Sequence, residues 1–305
     1  MLSKPKRIVV LNTDNEEYLL QWWLPHHANK FDEGVILDFG DDGTEELCKK
    51  YVPNWIYKKV EIVPEDLNNY RWDDVISKVE NVIHDDFPRS WIITLSATEF
   101  LIGNMDFLDN YIHPTRVLIP SFLMNDHPDL ENVEPDPNIP LLKQRTHGVH
   151  YYFNDWPWPE HSISKNLFIE LKLENKINPL DLKMNCRWMR SIHNFKQKYT
   201  ETSLFGAGRH YWKEADMTKE LVICHMNYSP FTENFIKRKL NVQKRLTKLD
   251  YANHYGTQHV TDIDKIYKTK RFYDQLTVNL VGEINRLEYR RMTFQEMNNV
   301  MQSLK

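Results

Sequence analysis

Short runs of β-branched and aliphatic residues alternate, over the first 120 residues, with stretches whose apolar positions recur every three or four residues. Ile8-Val9-Val10-Leu11, bounded by charge on one side and Asn12 on the other, predicts a buried strand. From Asn15 to Asn29 the pattern Tyr18/Leu19, Trp22/Trp23, His26 has helical spacing, and the two tryptophans are expected to face the core. Gly34-Val35-Ile36-Leu37 predicts a second strand ending at Asp38, and Asp42-Gly43-Thr44-Glu45 predicts a capped helix start. Trp55-Ile56-Tyr57 reads as a third strand. Val75, Ile76, Val79, Val82 and Ile83 line one face of a helix, and Trp91 to Leu95 is a fourth strand. Alternation of this kind predicts an α/β fold, a mostly parallel sheet with helices on both faces.

The pattern changes after Arg116-Val117-Leu118-Ile119. Residues 125–140, NDHPDLENVEPDPNIP, are acidic, proline-rich and without period, and predict a long loop that is either functional or a solvated connector. HGVHYYF and LFIELKL read as strands of an antiparallel extension, and ELVIC as a strand running into His225. Beyond it a helical region is expected, with Ser229-Pro230 as cap and first helical residue and Thr293-Phe294-Gln295-Glu296 as a capping box.

The chain has 305 residues and a formal net charge of -4, so no basic excess argues for nucleic acid. Its three cysteines, Cys48, Cys186 and Cys224, are widely spaced, which suits free thiols in a reducing compartment and gives no zinc spacing. The first fifteen residues hold a four-residue apolar run, too short for a secretory core, and no stretch reaches the ~18 apolar residues of a membrane span. A cytoplasmic protein is expected. Neither GxGxxG nor GxxxxGK[ST] occurs, which argues against dinucleotide oxidoreductases and P-loop enzymes. In VILDFGDDGTEEL an acid at a strand end can accept a hydrogen bond from the N3–H of uracil, with Gly40 and Gly43 letting the chain turn beside a planar ring. The same residues also suit a plain Asp/Gly turn before a capped helix.

The order of these segments resembles glycosyltransferases related to families 2 and 92. Those proteins carry an Asn-Glu, Leu, Glu-Trp, His helix after the first strand, which Asn15-Glu16, Leu19, Gln21-Trp22 and His26 follow, with Gln21 for the usual Glu. Asp38, Gly40, Asp42 and Thr44 follow their D-x-G-S-x-D-x-T segment, slightly shortened, and Trp91 to Leu101 aligns with their strand ending in D-x-D-E-F-L. FGAGRHYW, with His210, and ICHMNYSPFTENFIKRKL, with His225, Ser229, Glu233, Phe235 and Lys237, are similar to two late segments. The likeness covers roughly the first 125 residues and the region 185–240.

The resemblance implies a GT-A, Rossmann-like fold. It would have a nucleotide-binding half (1–124), an acceptor half (125–228) and a C-terminal helical extension (229–305). A nucleotide-sugar donor, most simply a UDP-sugar, would lie across the strand ends, and an oligosaccharide or glycoprotein glycan would accept the sugar. Viral members of this group act in the host cytosol without an anchor. Asp38 would hold uracil, Asn12 and Thr13 would lie against base and ribose, and Asn15, Glu16 and Gly40 would belong to the donor site. The departure is at the D-x-D, where Ser96-Ala97-Thr98 stands and Glu99 alone keeps its carboxylate. Hydroxyls are poor ligands for manganese or magnesium, so three alternatives stay open: diphosphate held by cationic side chains, a weak metal on Glu99 and His225, or a protein that binds without catalysis. The candidate cations are Arg190 in the K-S-I-like segment CRWMRSIHN, His210, His225, Lys237 and Arg238. An inverting transfer needs a carboxylate base. Asp155, beside Trp156 and Trp158 that could stack on an acceptor sugar, is the first candidate and Asp126 the second.

Overall fold

The structure, a computed structural model, describes residues 4–61, 73–119, 121–149, 190–196, 205–206, 210–211, 218, 220–246, 248–252, 260–274 and 277–279. It is a mixed α/β fold built on a six-stranded sheet. The strands are β1 (Arg7–Thr13), β2 (Glu33–Asp38), β3 (Ile56–Lys59), β4 (Trp91–Leu95), β6 (Arg116–Ile119) and β9 (Arg190–His193), in the order β3-β2-β1-β4-β9-β6. Neighbours from β3 to β4 are parallel, and β9 is antiparallel to both β4 and β6.

Both faces of this sheet are covered, which is why its inner strands are unbroken apolar runs rather than alternating ones. Val9, Leu11, Ile36, Ile93 and Leu95 pack with Leu19, Leu20, Trp23 and Cys48 of α1 (Glu17–His27) and α2 (Thr44–Tyr51). Ile8, Val10, Val35, Leu37 and Ile92 pack with Ile76 and Ile83 of α3 (Asp73–Asp86) on the other face. Trp22 and Trp23 are core residues, as expected.

A second sheet has the order β13-β8-β7-β12-β5, from β5 (Glu99–Gly103), β7 (Ser121–Asn125), β8 (His147–Val149), β12 (Leu221–Tyr228) and β13 (Thr277–Asn279). Its β5 follows β4 after a three-residue turn and pairs antiparallel with β12. At its end Gly103 has φ 109 and a Cβ there would meet the Glu220 carbonyl at 1.9 Å, so only glycine fits. β5 lies at the sheet edge, and α1 closes that edge through side chains. Trp23 Nε1 donates to the Glu99 carbonyl at 2.8 Å, His26 Nε2 to the Leu101 carbonyl at 2.8 Å, and the Leu101 N–H donates to His27 Nε2 at 3.1 Å. His27 Nδ1 then donates to the Trp23 carbonyl at 2.9 Å, so this ring is neutral with its proton on Nδ1.

The 125–140 stretch is a loop as expected, with β7 running to Asn125 and Gln144 of α4 (Leu141–Gln144) binding Asp136 N–H and C=O and the Ile139 carbonyl. One expectation is corrected. Ser229-Pro230 does not start a helix; its peptide is cis, Ser229 is buried on Asp126, and α5 (Glu233–Val242) is capped by Thr232, whose Oγ1 accepts from Phe235 N–H. Among the described residues, the region after 228 is mostly helical and also adds a strand. Its β13 completes the second sheet, and α7 (Ile263–Asp274) is stitched to β7, with α6 (Lys248–Ala252) between. LFIELKL and the Thr293 capping box lie outside the described residues.

Candidate functional site

The strand order reverses between β1 and β4, since β2 and β3 lie to one side of β1 and β4 lies to the other. In open α/β sheets the crevice outside the carboxyl ends of such a pair is where ligands bind. Thr13 ends β1 and Ser96 follows β4, so the two motif regions meet at this crevice. The Thr13 hydroxyl is buried and has no hydrogen-bond partner among the described residues. Asn12, half-buried, points to the α3 face of the sheet, opposite to Thr13, because side chains alternate along a strand.

The loops after β1 and β2 clasp each other. Asn15 has φ 54, and its Oδ1 accepts from the Asp41 N–H at 3.0 Å. Gly40 is required there by close approach: a Cβ would stand 2.3 Å from the Asn15 backbone nitrogen. Asp42 accepts from the Glu17 N–H at 2.8 Å, and Glu17 accepts in return from the Gly43 N–H at 3.2 Å, so the starts of α1 and α2 cap one another. Much of the resemblance motif is therefore scaffolding. Asp38 belongs with it. Its carboxylate is fully buried and accepts from Gly40 N–H (2.9 Å), the Tyr57 hydroxyl (2.6 Å) and Lys59 (3.1 Å). This corrects the expectation that Asp38 offers a free edge to uracil. The exposed member of the group is Lys59, whose side chain is 47% accessible.

The Ser96-Ala97-Thr98-Glu99 turn carries the chemistry-bearing groups. Ser96 Oγ and Thr98 Oγ1 share a hydrogen bond of 2.8 Å. Glu99 accepts from the Ser96 N–H at 2.8 Å and takes Arg190 Nε on both oxygens, at 2.8 and 3.0 Å. Burial works against ionising Glu99, but Arg190, His225 and the Ser96 N–H outweigh it and hold the carboxyl below its ordinary value. His225 lies directly opposite Glu99 on β12. Burial pushes its imidazole down to about 4, against Glu99 and with Arg190, Lys239 and Arg238 assisting, so it is neutral at pH 7. Arg238 of α5 forms a two-pronged ion pair with Glu16. Lys239 donates to Asn227 Oδ1 at 3.0 Å and sits 3.9 Å from the centre of the Tyr228 ring.

A divalent cation, which the resemblance would lead one to expect at this turn, does not suit these donors. The hydroxyls are bonded to each other, the one carboxylate already carries a guanidinium, and the imidazole opposite lies in the field of three cations. Among the described residues no group of three His, Cys, Asp or Glu side chains is placed to hold a metal. Glu99 with His225 is thus an anion-side pair, not a metal site.

The remaining candidates divide. Asp126 is corrected from base to structural carboxylate: it is 1% exposed, accepts from Ser229 Oγ and the Phe231 N–H (2.7 Å), and pairs with Arg145 at 3.2 Å. Burial, opposed by those partners and by Lys270, keeps its carboxyl above the ordinary range. Lys237 is exposed on α5 and makes no ion pair among the described residues. His210 begins the two-residue strand β11 (His210–Tyr211), paired with β10 (Phe205–Gly206), and its side chain lies outside the description, as do Asp155, Trp156 and Trp158 entirely. Lys239, Asn227, Tyr57 and Lys59 were not anticipated. Asn227 carries no simple strand signal, because β12 shifts register between His225 and Tyr228 and the alternation of faces breaks there. Nothing in the run Lys237-Arg238-Lys239 singles out its third member.

Arg190, Arg238 and Lys239 all act on His225, and two of them hold carboxylates, Glu99 and Glu16. No helix among the described residues is long and apolar enough to cross a membrane. No protein-family model matches the chain, and no curated protein does.

Proposed function

We propose that the chain is a GT-A type glycosyltransferase that takes a nucleotide sugar, most simply a UDP-sugar, and moves the sugar to a hydroxyl of a glycan. The diphosphate is met by side-chain cations instead of a D-x-D-bound metal. The observation that carries this reading is the reversal of strand order at β1 and β4, with the unpartnered Thr13 hydroxyl on one lip and the Ser96–Glu99 turn on the other. Three cations support it: Arg190 held by Glu99 at the turn, Arg238 by Glu16 after β1, and Lys239 by Asn227 of β12, all acting on His225. In the transfer, the acceptor oxygen bonds to the anomeric carbon and the bond from that carbon to the phosphate oxygen breaks. The nucleoside diphosphate leaves with the electron pair, and fixed positive charge near its oxygens stabilises it. The acceptor's proton goes to a carboxylate, for which Asp155 is the candidate.

A thermal-shift screen of nucleotide sugars tests the reading, since a ligand that binds only the native state raises its melting temperature. A rise that EDTA leaves unchanged, followed by release of the nucleoside diphosphate on adding glycan acceptors, is the expected result. No shift with any nucleotide or nucleotide sugar, with or without manganese, sinks it. One observation favours a second reading, a nucleotide-sugar or glycan-binding module without catalysis: the carboxylates Glu99 at the turn and Glu16 before α1 are both held by arginines. Binding with no turnover on any acceptor is the outcome that selects it.

A further inference from the structure

The three cations of the site differ in how they are compensated. Arg190 bonds both oxygens of Glu99, and Arg238 both oxygens of Glu16, so each guanidinium is charge-balanced where it stands. Lys239 is not. Among the described residues its ammonium has a neutral amide oxygen, Asn227 Oδ1 at 3.0 Å, and two aromatic faces, Tyr228 at 3.9 Å and Phe235 at 5.6 Å. A partly buried ammonium with no counter-ion is unfavourable unless something anionic completes it. The aromatic faces offset part of that cost and fix the group in place.

Its position is set by β12. His225 pairs with Glu99, and the Met226 N–H donates to the Thr98 carbonyl at 2.7 Å, so Asn227 comes next along the strand, abreast of the Ser96–Thr98 turn. Asn227 lies where β12 shifts register between His225 and Tyr228, and its Oδ1 accepts from Lys239 there. The Lys239 field reaches the His225 ring, together with those of Arg190 and Arg238.

We propose that Lys239 is the group that binds the diphosphate of the ligand, its one uncompensated ammonium closing on the phosphate oxygens beside the Ser96–Thr98 hydroxyls, while Arg190 and Arg238 act as fixed supports. This deepens the proposed function and rests on it for the identity of the anion as part of a nucleotide sugar. Burial, and then repulsion from Arg238, lower the Lys239 ammonium to about 7. The charge acting on it is Arg238 of α5, which Glu16 at the start of α1 holds, and Lys239 acts in turn on His225, beside Glu99 and Arg190 of the strands. His225 stays neutral and Glu99 stays ionised around pH 7, so Lys239 is the group beside them whose charge changes there.

The test is calorimetric titration of the full chain with inorganic pyrophosphate, UDP and uridine. Lys239→Met and Lys239→Gln are expected to weaken pyrophosphate and UDP at least tenfold and leave uridine unchanged. Lys239→Arg is expected to restore most of the loss, and Lys244→Met, the same charge change at an exposed site, to do nothing. Asn227→Asp keeps the lysine but gives it a counter-ion. It is expected to weaken pyrophosphate as strongly as Lys239→Met while raising the melting temperature, which a merely structural lysine would not produce. As pH rises through about 7 the wild-type affinity should fall relative to that of Lys239→Arg. Unchanged pyrophosphate and UDP affinity in Lys239→Met overturns the assignment while UDP binding itself keeps the nucleotide-sugar reading. Pyrophosphate binding that is lost in Lys239→Met, with no nucleotide bound by any form, upholds the anion site and overturns the nucleotide.

Discussion

At Glu99 a single carboxylate takes two contacts from Arg190 and one from the Ser96 N–H, with both ion-pair partners nearly excluded from water. Removing one partner of such a pair costs more than the pair contributes, because the other charge stays buried. Arg190→Met is therefore expected to cost about 3–5 kcal/mol in urea unfolding, and adding Glu99→Gln to recover part of it; a fully additive double variant would show that the two side chains do not interact. The sign with pH follows from the lowered Glu99 carboxyl. Its contribution is complete above the ordinary value of 4.5 and is lost as pH falls through the folded value. Without Arg190, burial dominates and pushes the Glu99 carboxyl above its ordinary value, so in Arg190→Met the destabilisation should be relieved as pH falls. The sequence makes Glu99 visible as the one acid left at a D-x-D position. Its neutralising partner lies 91 residues further along, and no local pattern connects the two. The same holds for Glu16 and Arg238, 222 residues apart. Asp38 shows the opposite case: its place in a motif was legible, but Tyr57 and Lys59, which consume its carboxylate, come from the neighbouring strand.

The docking of α1 on β5 rests on two neutral histidines. His26 is held down to about 4, chiefly by burial, and His27 well below its ordinary value, by burial and then by His26. Both rings are uncharged in the folded chain and take up protons in the unfolded chain below its ordinary value of 6.5. Unfolding thus binds protons, and stability is present above 6.5 and falls as pH drops toward about 4. Each ring contributes at most about 1.4 kcal/mol per pH unit in that window. Urea midpoints at pH 7.5, 6 and 5 should show the decline, and His26→Gln should reduce its slope; an unchanged slope would remove His26 from the account. The helices and the inner strands of the large sheet were legible because burial on two faces writes an uninterrupted apolar run. β9 and β7 were not, since strands of four or five residues gain their identity from partners in distant sequence. Ser229-Pro230 looked like a helix start because the pair has that chemistry, but Asp126 claims the hydroxyl and Thr232, three residues on, makes the cap.

Across the molecule, a polar network, buried except at Arg271, ties β7 and the loop after it to α7 and β13. Lys270, fully buried, donates to the Asp126 carbonyl at 2.9 Å, Asn125 donates to Asp274 (3.1 Å) and Thr277 (2.7 Å), and Arg271 pairs with Glu131 at 2.7 Å. The segment after residue 260 is part of the fold, and calorimetry should show one transition for the whole chain. Asp126→Asn, which leaves Arg145 buried without its counter-charge, should lower stability by about 3–5 kcal/mol without splitting that transition; a separate early melt of the C-terminal part would refute the integrated view. None of this was legible in a region that reads as charged helix, because Lys270 is one of many lysines until its burial is known. The closure of β5 by α1 has a further result. Trp23, His26 and His27 occupy carbonyls and an N–H that an exposed edge strand would offer to another copy of the same chain. Once acid charges His26, near pH 4, that edge opens before the rest of the sheet is lost, and the protein should precipitate at that pH through strand-to-strand association. Light scattering that rises with protein concentration at that pH, and is suppressed by a lysine placed on the edge at Ile102, is the expected signature.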